Sequence, residues 1–313
     1  MSAGTVLVTG PTGGLGRSAV MAMARRPAPK RPDLLLVGRE GPRLDAVAEH
    51  ARAEGAHVET IPADLAQLSD VRAAGLRVKE LVDAAAVAPL RALVANAGAS
   101  VVDTRRASAD GYELTFAVNY LAHAQLIGDL LDSFASPSRV VLLGSNTYYL
   151  NAVRRLLGVP PAQWRDPLEL ATPLAAGETP TTRAAGVAYS NSKLALLYYA
   201  HELQRRAPDG VGVAVFEPGY MPGTGLFREQ GAAMLRVGRM LERIPGISSP
   251  ARSGPALASV TLDERWSHLR DGAFVVKTRQ RDVEPFALDR AREARLWEAT
   301  AELLGGVSVG EER

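Results

Sequence analysis

Short apolar runs alternate with longer amphipathic stretches along most of the chain, a pattern typical of strands that alternate with helices. Seven apolar runs are predicted as strands: 5–9, 33–38, 57–62, 90–95, 139–144, 211–217 and 272–276. The amphipathic stretches predict helices at 17–24, 43–54, from about residue 67, and at 112–123, 188–207, 251–260 and 287–304. This order predicts an α/β fold with a mostly parallel seven-stranded sheet and helices on both faces. No repeat or domain-sized linker interrupts it, so residues 1–313 are predicted as a single domain.

Composition excludes several classes of protein. The 36 basic and 34 acidic residues leave a net charge of +2, which gives no sign of a nucleic-acid patch. Cysteine is absent, so disulfides, thiolate catalysis and Cys-ligated metals are excluded, and no metal site is predicted. No signal peptide and no apolar stretch of about 20 residues is present, so no membrane span and a cytoplasmic location are expected.

A glycine-rich turn joins the first predicted strand to the first helix and reads Gly10-Pro11-Thr12-Gly13-Gly14-Leu15-Gly16. Such a turn lets backbone N–H groups approach a pyrophosphate at the N-terminus of a helix, where the helix dipole favours negative charge. The strand and the helix lie on the correct sides of this turn. The segment therefore predicts a dinucleotide-binding loop.

The second strand ends at Arg39. In dinucleotide-binding folds an acidic residue near this point binds the ribose 2′-hydroxyl, whereas an arginine accommodates a 2′-phosphate. Arg39 therefore predicts NADP(H) rather than NAD(H) as the cofactor. The alternative is a solvated loop arginine paired with Glu40.

Tyr189 and Lys193 are four residues apart in a predicted helix, so the phenol and the ammonium project to the same side. A cation nearby stabilises phenolate and lowers the pKa of the phenol, which gives an acid/base group that works closer to neutrality. Ser145 ends a central strand, at the edge where α/β sheets bind ligands.

These features occur in the order of the short-chain dehydrogenase/reductase family, which the chain resembles over about residues 4–280. The spacing Thr9-Gly10-x-x-x-Gly14-x-Gly16, the Asn96-Ala97-Gly98 turn and Pro218-Gly219 carry the resemblance together with the pair above. It implies a doubly wound Rossmann-type fold. It also implies cofactor-binding roles for Gly10, Thr12, Gly13, Gly14, Leu15, Gly16, Asp64, Leu65, Asn96, Ala97, Gly98, Tyr189, Lys193, Pro218, Gly219 and Thr224. Asp64 is also a candidate cap of the helix beginning near residue 67, and the two roles are compatible.

The resemblance also implies catalytic roles. Tyr189 would donate a proton to a carbonyl oxygen that Ser145 holds, while Lys193 binds the nicotinamide ribose and lowers the pKa of Tyr189. Asn119 would bind a water that links Lys193 to solvent. His123, four residues further along the same helix, is interpreted as structural.

Residues from about 146 to 186 are an insertion relative to the plain family pattern, and their five prolines exclude a single regular element. The insertion is predicted to form an ordered flap. Similar insertions occur in the carbonyl-reductase, retinol-dehydrogenase and protochlorophyllide-reductase branches of the family. They can obstruct the helix pairing that makes shorter relatives oligomeric, so a monomer is predicted over a homodimer.

The stretch after Pro218-Gly219 resembles protochlorophyllide reductases, with Tyr220 where those proteins carry a Cys. Residues from about 220 to 250 are predicted to form a lid over a small-molecule substrate; a solvated surface helix is the alternative. Tyr148, Tyr220 and Met221 are the candidate substrate contacts, and they suggest a bulky, mostly apolar or aromatic substrate.

The predicted function is NADP(H)-dependent reduction of a carbonyl, or oxidation of the corresponding alcohol, by hydride transfer. One alternative is reduction of a C=C bond, as in protochlorophyllide reductase. Another is a non-enzymatic NADP(H) sensor, although such proteins commonly lack the tyrosine and lysine kept here.

Overall fold

The computed structural model describes residues 4–151, 154–155, 158–221 and 247–305. Its central sheet has the strand order β3-β2-β1-β4-β5-β6-β7-β8. The strands are β1 (Thr5–Thr9), β2 (Asp33–Gly38), β3 (Val58–Pro62), β4 (Leu90–Ala95), β5 (Phe134–Leu143), β6 (Val211–Glu217), β7 (Ala273–Val276) and β8 (Arg279–Arg281). All neighbours pair in parallel except β7 and β8, so the prediction of a doubly wound, mostly parallel sheet is confirmed.

The sheet has one strand more than the seven predicted. β8 forms an antiparallel pair with β7 at the edge of the sheet. Its three residues, Arg-Gln-Arg, are all exposed, so the strand carries no apolar pattern from which it could be recognised.

Helices cover both faces of the sheet. They are α1 (Gly14–Ala24), α2 (Pro42–Ala53), α3 (Leu68–Asp83), α4 (Leu114–Phe116, Ala117–Leu121 and Ala122–Leu130 in succession), α5 (Pro167–Leu170), α6 (Thr182–Arg206), α7 (Pro250–Leu262) and α8 (Arg290–Leu303). The middle segment of α4 is a π-helical turn. Helix α6 begins six residues before the predicted start at 188, because Thr181 caps it by accepting a hydrogen bond from the Ala184 N–H.

Alternating side chains of the strands divide the core into two layers. On one face Leu7, Leu35 and Val213 belong to a cluster with residues of α3, α4, α6 and α8. On the other face Val8 and Phe216 belong to a cluster with residues of α1, α2 and α7. The order of the strands reverses at β1 and β4, and the carboxyl ends of these strands form the crevice in which such sheets bind ligands.

The inserted segment packs against α6. The Ser190 hydroxyl donates to Pro160 O at 2.9 Å, and the Asn191 side chain accepts from the Gln163 N–H at 2.7 Å. The Trp164 ring meets Tyr198 edge-on at 4.8 Å between centroids. These contacts place residues 160–164 along α6. Within the described residues, no helix is both long enough and apolar enough to cross a membrane.

Candidate active site

The loop between β1 and α1 has the backbone that its glycines predict. Gly10 and Gly14 adopt positive φ angles of 63° and 51°, where L side chains are strained. A Cβ on Gly16 would collide with Gly10 O and the Asn96 side chain. No described side chain caps α1 at Gly13, so the first N–H groups of the helix are suited to bind a phosphate. Thr12 belongs to the same turn, whereas Leu15 is buried in the core and supports the loop from below.

The turn after β4 is bound to this loop. The Asn96 amide donates to Thr9 O and Gly10 O, both at 3.0 Å. In return, the Thr9 hydroxyl oxygen accepts the backbone N–H groups of Asn96 and Ala97, also at 3.0 Å. These bonds fix the two turns that the resemblance assigns to the cofactor. Gly98 follows directly and lies against Asn119.

Two arginines lie where the adenosine end of a dinucleotide would be expected. Arg39 directly follows β2, is exposed, and forms no hydrogen bond or ion pair with any described residue, Glu40 included. Arg43, in the first turn of α2, donates from Nη2 to Thr12 O at 3.3 Å. Sequence reasoning missed Arg43, because it lies 31 residues after Thr12 in the sequence and only the fold brings the two together.

Asp64 does not cap the following helix. Its carboxylate accepts the Ala66 N–H at 3.0 Å in a tight turn, and its own N–H donates to Asp70. The first N–H of α3, on Leu68, donates instead to the Asp110 carboxylate at 2.9 Å. The capping prediction is therefore wrong. Leu65 is buried next to this turn.

Ser145, Tyr189 and Lys193 meet at the carboxyl end of β5. Ser145 follows β5 and caps a short 3₁₀ turn by accepting the Thr147 N–H at 3.3 Å. The Lys193 Nζ lies 5.6 Å from the centroid of the Tyr189 ring and donates to Leu143 O at 2.8 Å. Lys193 is only 2% exposed, and this burial lowers its pKa to about 7.

Burial also governs Tyr189. Desolvation raises the pKa of its phenol, a hydrogen bond with Ser145 opposes that rise, and the negative charge of Glu217 adds to it. Lys193 was expected to lower the pKa of Tyr189, but the pKa is raised and Lys193 is not among the causes of the shift. The physical reason is that burial destabilises phenolate and ammonium alike. At neutral pH the phenol therefore keeps the proton that a donor needs.

Asn119 lies in the π-helical turn of α4 and is fully buried. Its amide donates to Ala99 O at 3.0 Å and to the Ser192 hydroxyl at 2.9 Å, and its oxygen accepts the Ala99 N–H at 2.7 Å. The Ser192 hydroxyl in turn donates to Tyr189 O at 2.7 Å. Asn119 thus connects the turn after β4 to α6, the helix that carries Tyr189 and Lys193. A π turn at such a position is typical of functional sites.

Pro218 and Gly219 follow β6 on the same edge of the sheet, and Gly219 has a φ of 87°. The residue before them, Glu217, was missed by sequence reasoning. It is 5% exposed, one of its carboxylate oxygens has no partner among the described residues, and desolvation raises its pKa. Its position was a possible signal, because an acidic residue rarely ends a buried strand.

The candidate substrate residues are placed very differently. Tyr148 is 1% exposed, and its hydroxyl accepts the Glu284 N–H at 3.0 Å, so it is a core residue and we do not assign it to the substrate. Tyr220 is 53% exposed, and Met221 is half-buried against the α7 face of the core. Thr224 and residues 222–246 of the predicted lid lie outside the described residues.

Comparison with known proteins identifies the family. A family model described as short chain dehydrogenase matches residues 4–149. A candidate daunorubicin C-13 ketoreductase, DnrU, of Streptomyces sp. (strain C5) is 30% identical over 96% of this chain and 92% of its own length. Protochlorophyllide reductase A of Oryza sativa subsp. japonica is 28% identical over 96% of this chain and 81% of its own.

A solved short chain dehydrogenase from Burkholderia cenocepacia J2315, in complex with NADP, matches with a TM-score of 0.63. It is 20% identical over 88% of this chain and 96% of its own, a likeness that shows the fold. The family match supports an oxidoreductase that uses a nicotinamide cofactor. The chain belongs to the short-chain dehydrogenase/reductase family, as its motifs predicted.

Proposed function

We propose that the protein is an NADP(H)-dependent reductase of a ketone or aldehyde on a bulky, mostly apolar substrate, able to oxidise the corresponding alcohol. One observation carries this proposal. Ser145, Tyr189 and Lys193 meet at the carboxyl end of β5, on the edge of the sheet that holds the glycine-rich loop.

The loop is suited to a dinucleotide, because its glycines leave room for a pyrophosphate and its uncapped helix offers N–H donors. When bound, NADP(H) supplies or accepts the hydride. Arg39 and Arg43 would hold the 2′-phosphate through charge-assisted hydrogen bonds. Pro218 and Gly219 would line the nicotinamide.

Each side chain near the end of β5 would have a separate role in proton transfer. The Ser145 hydroxyl would hold the carbonyl oxygen of the substrate in place. Tyr189, whose raised pKa keeps it protonated, would donate its proton to that oxygen as charge develops there. Lys193 would hold the nicotinamide ribose, and Asn119 with water would return a proton to the site.

Two observations support a bulky substrate. Tyr220 presents an exposed aromatic ring beside Gly219. The relative DnrU is named for the C-13 ketone of daunorubicin, and it aligns with nearly the whole chain. A polycyclic aromatic ketone is therefore the first substrate class to test.

Reduction of a C=C bond is the second candidate. It is favoured by the match to protochlorophyllide reductase A over 96% of this chain. The presence of Tyr220 where those enzymes have a cysteine disfavours C=C reduction. Turnover of protochlorophyllide under light, without turnover of ketones, would support this second function instead.

The test is a Tyr189→Phe variant, assayed by NADPH oxidation with bulky ketones. We expect kcat to fall by about 10²- to 10⁴-fold, because the proton donor is lost. The Kd for NADPH is measured in parallel, because Tyr189 is also a candidate cofactor contact and a loss of binding must be separated from a loss of proton donation. Tyr199→Phe is the matched control, because Tyr199 is a buried tyrosine of the same helix. Wild-type turnover by the Tyr189→Phe variant would refute the mechanism.

A further inference from the structure

His123 forms two hydrogen bonds that a purely space-filling residue would not need. It lies on α4, four residues after Asn119, and is 1% exposed. Its Nε2 lies 2.9 Å from the Thr9 hydroxyl and its Nδ1 lies 3.1 Å from Asn119 O. One ring therefore contacts both the end of β1 and the π-helical turn.

The partners fix the direction of each bond. Asn119 O is a carbonyl and can only accept, so Nδ1 must carry the proton. Nε2 is then an acceptor and needs a donor. The Thr9 oxygen already accepts the N–H groups of Asn96 and Ala97, which leaves its own proton for Nε2 at 2.9 Å rather than for Val94 O at 3.5 Å. The Thr9 hydroxyl thus donates to Nε2 of His123, and Nδ1–H of His123 donates to Asn119 O.

The neutral form of His123 is the one that this arrangement needs. Burial is the largest cause of a pKa lowered to about 4; the hydrogen bond to Asn119 opposes this shift, and the nearby charge of Lys193 adds to it. At neutral pH the ring is therefore uncharged, and both bonds persist.

Each end of this series of hydrogen bonds, from Thr9 through His123 to Asn119, contacts a part of the proposed site. Thr9 is bound to the turns at Gly10 and Asn96, which we assign to the cofactor. At the other end Asn119 faces Lys193 across Gly98: a Cβ on Gly98 would lie 3.2 Å from Asn119 Oδ1 and 4.0 Å from Lys193 Nζ. The imidazole therefore joins the cofactor-binding turns to the side of the site that supplies protons.

We propose that His123 is a positioning residue, which holds the Asn119 carbonyl and its π-helical turn in the geometry that returns protons to Lys193. This proposal rests on the reductase function proposed above. The second bond, to Thr9, couples that geometry to the cofactor-binding loop.

Two substitutions separate the two bonds. An asparagine amide nitrogen reaches the place of Nδ1, so His123→Asn keeps the donor to Asn119 O and loses the contact with Thr9. A glutamine amide reaches the place of Nε2, so His123→Gln keeps the contact with Thr9 and loses the donor. Each variant loses one hydrogen bond, and they serve as controls for each other.

In the full-length protein, we expect His123→Gln to lose about tenfold or more in kcat while its Kd for NADPH stays within about threefold. His123→Asn should keep kcat within about threefold and weaken NADPH binding instead. Equal losses of kcat in both variants, in proportion to their loss of thermal stability, would overturn the proposal in favour of a structural role.

The tautomer can be tested without any substrate. In protein labelled with nitrogen-15 histidine, the His123 signals, identified as those missing from the His123→Asn spectrum, should report a proton on Nδ1. A proton on Nε2 would overturn the proposal, whatever the enzyme reduces. If Tyr189→Phe kept full activity while the Nδ1 tautomer was observed, the catalytic scheme would fail and the hydrogen-bonded chain would stand.

Discussion

Arg39 is the residue on which the proposed preference for NADP(H) depends. It is exposed and forms no bond with the described residues, so its substitution should change stability by less than about 0.5 kcal/mol. We expect Arg39→Gln to weaken NADPH binding by about 10- to 100-fold, the value of one charge-assisted hydrogen bond, and to leave NADH binding unchanged.

Fluorescence titration with both cofactors measures this effect. Arg25→Gln is the control. Arg25 is an exposed arginine at the C-terminal end of α1, far from the glycine-rich loop, and it pairs with Glu54. Wild-type protein that bound NADH more tightly than NADPH would contradict the assignment of NADP(H).

Glu217 contributes negative charge near Tyr189, the proposed proton donor. Its negative charge raises the pKa of Tyr189, so Glu217→Gln should lower that pKa. In alcohol oxidation the phenolate is the active form, and activity rises as pH rises through this pKa. The rising limb of log kcat/KM for the variant is therefore expected at lower pH than in wild type. Glu59→Gln, which changes an exposed side chain, is the control. If log kcat/KM of Glu217→Gln rose at the same pH as in wild type, or at a higher pH, Glu217 would not act on Tyr189.

Spacing within one helix predicts which residues share a face, and this identified Tyr189 and Lys193. It does not predict desolvation, which depends on residues brought in by other elements. Lys193 is buried and donates a hydrogen bond to Leu143 O of β5. The negative charge that raises the pKa of Tyr189 comes from Glu217, which belongs to β6. The expected lowering of the Tyr189 pKa was wrong for that reason. The bonds of His123 were equally hidden, because Thr9 lies 114 residues away in sequence.

At the scale of elements, the inserted segment is held to α6 by aromatic packing. Trp164 is half-buried against Tyr198. Full truncation of a buried Trp costs about 3–5 kcal/mol, so for this partly exposed ring we expect Trp164→Ala to cost about 1–3 kcal/mol. Thermal and urea denaturation measure it. Arg165→Ala, at the neighbouring exposed position, is the control, and a cost equal to that of the control would show that the flap is not anchored there.

Helices and strands with a strong apolar pattern were predicted, because periodic burial is what the pattern encodes. Some of their bounds were wrong: β5 begins five residues earlier than predicted, α4 ends seven residues later and α6 begins six residues earlier. Neither β8 nor the π-helical turn of α4 was predicted. The three polar residues of β8 pair with β7 through backbone bonds alone, which leave no trace in side-chain polarity. The π-helical turn at Asn119 differs from an α-helix by one residue in its hydrogen bonding, with the Ala122 N–H donating to Ala117 O. A single turn of this kind does not change the apolar period enough to be predicted.

At the scale of the whole molecule, the contacts of α6 bear on oligomeric state. The inserted segment covers α6 at Ser190, Asn191 and Tyr198. From another side, Trp297 of α8 stacks on Tyr199 with centroids 5.5 Å apart, and Glu293 binds His201 at 2.7 Å. A stable homodimer needs about 800 Å² from each partner. The chain's own segments occupy much of the helix surface that such pairing would use.

We therefore propose a monomer. Sedimentation velocity and light scattering should give a mass near 33.2 kDa, the mass of one chain, at all concentrations tested. Because the covering contacts lie within one chain, mass action should not shift this value, and NADPH should leave it unchanged. Trp164→Ala loosens the cover without adding a new surface, so self-association of this variant at high concentration would identify α6 as the hidden pairing face. A wild-type mass of about twice the monomer value would show that the protein pairs through a different surface, and that the inserted segment does not determine its oligomeric state.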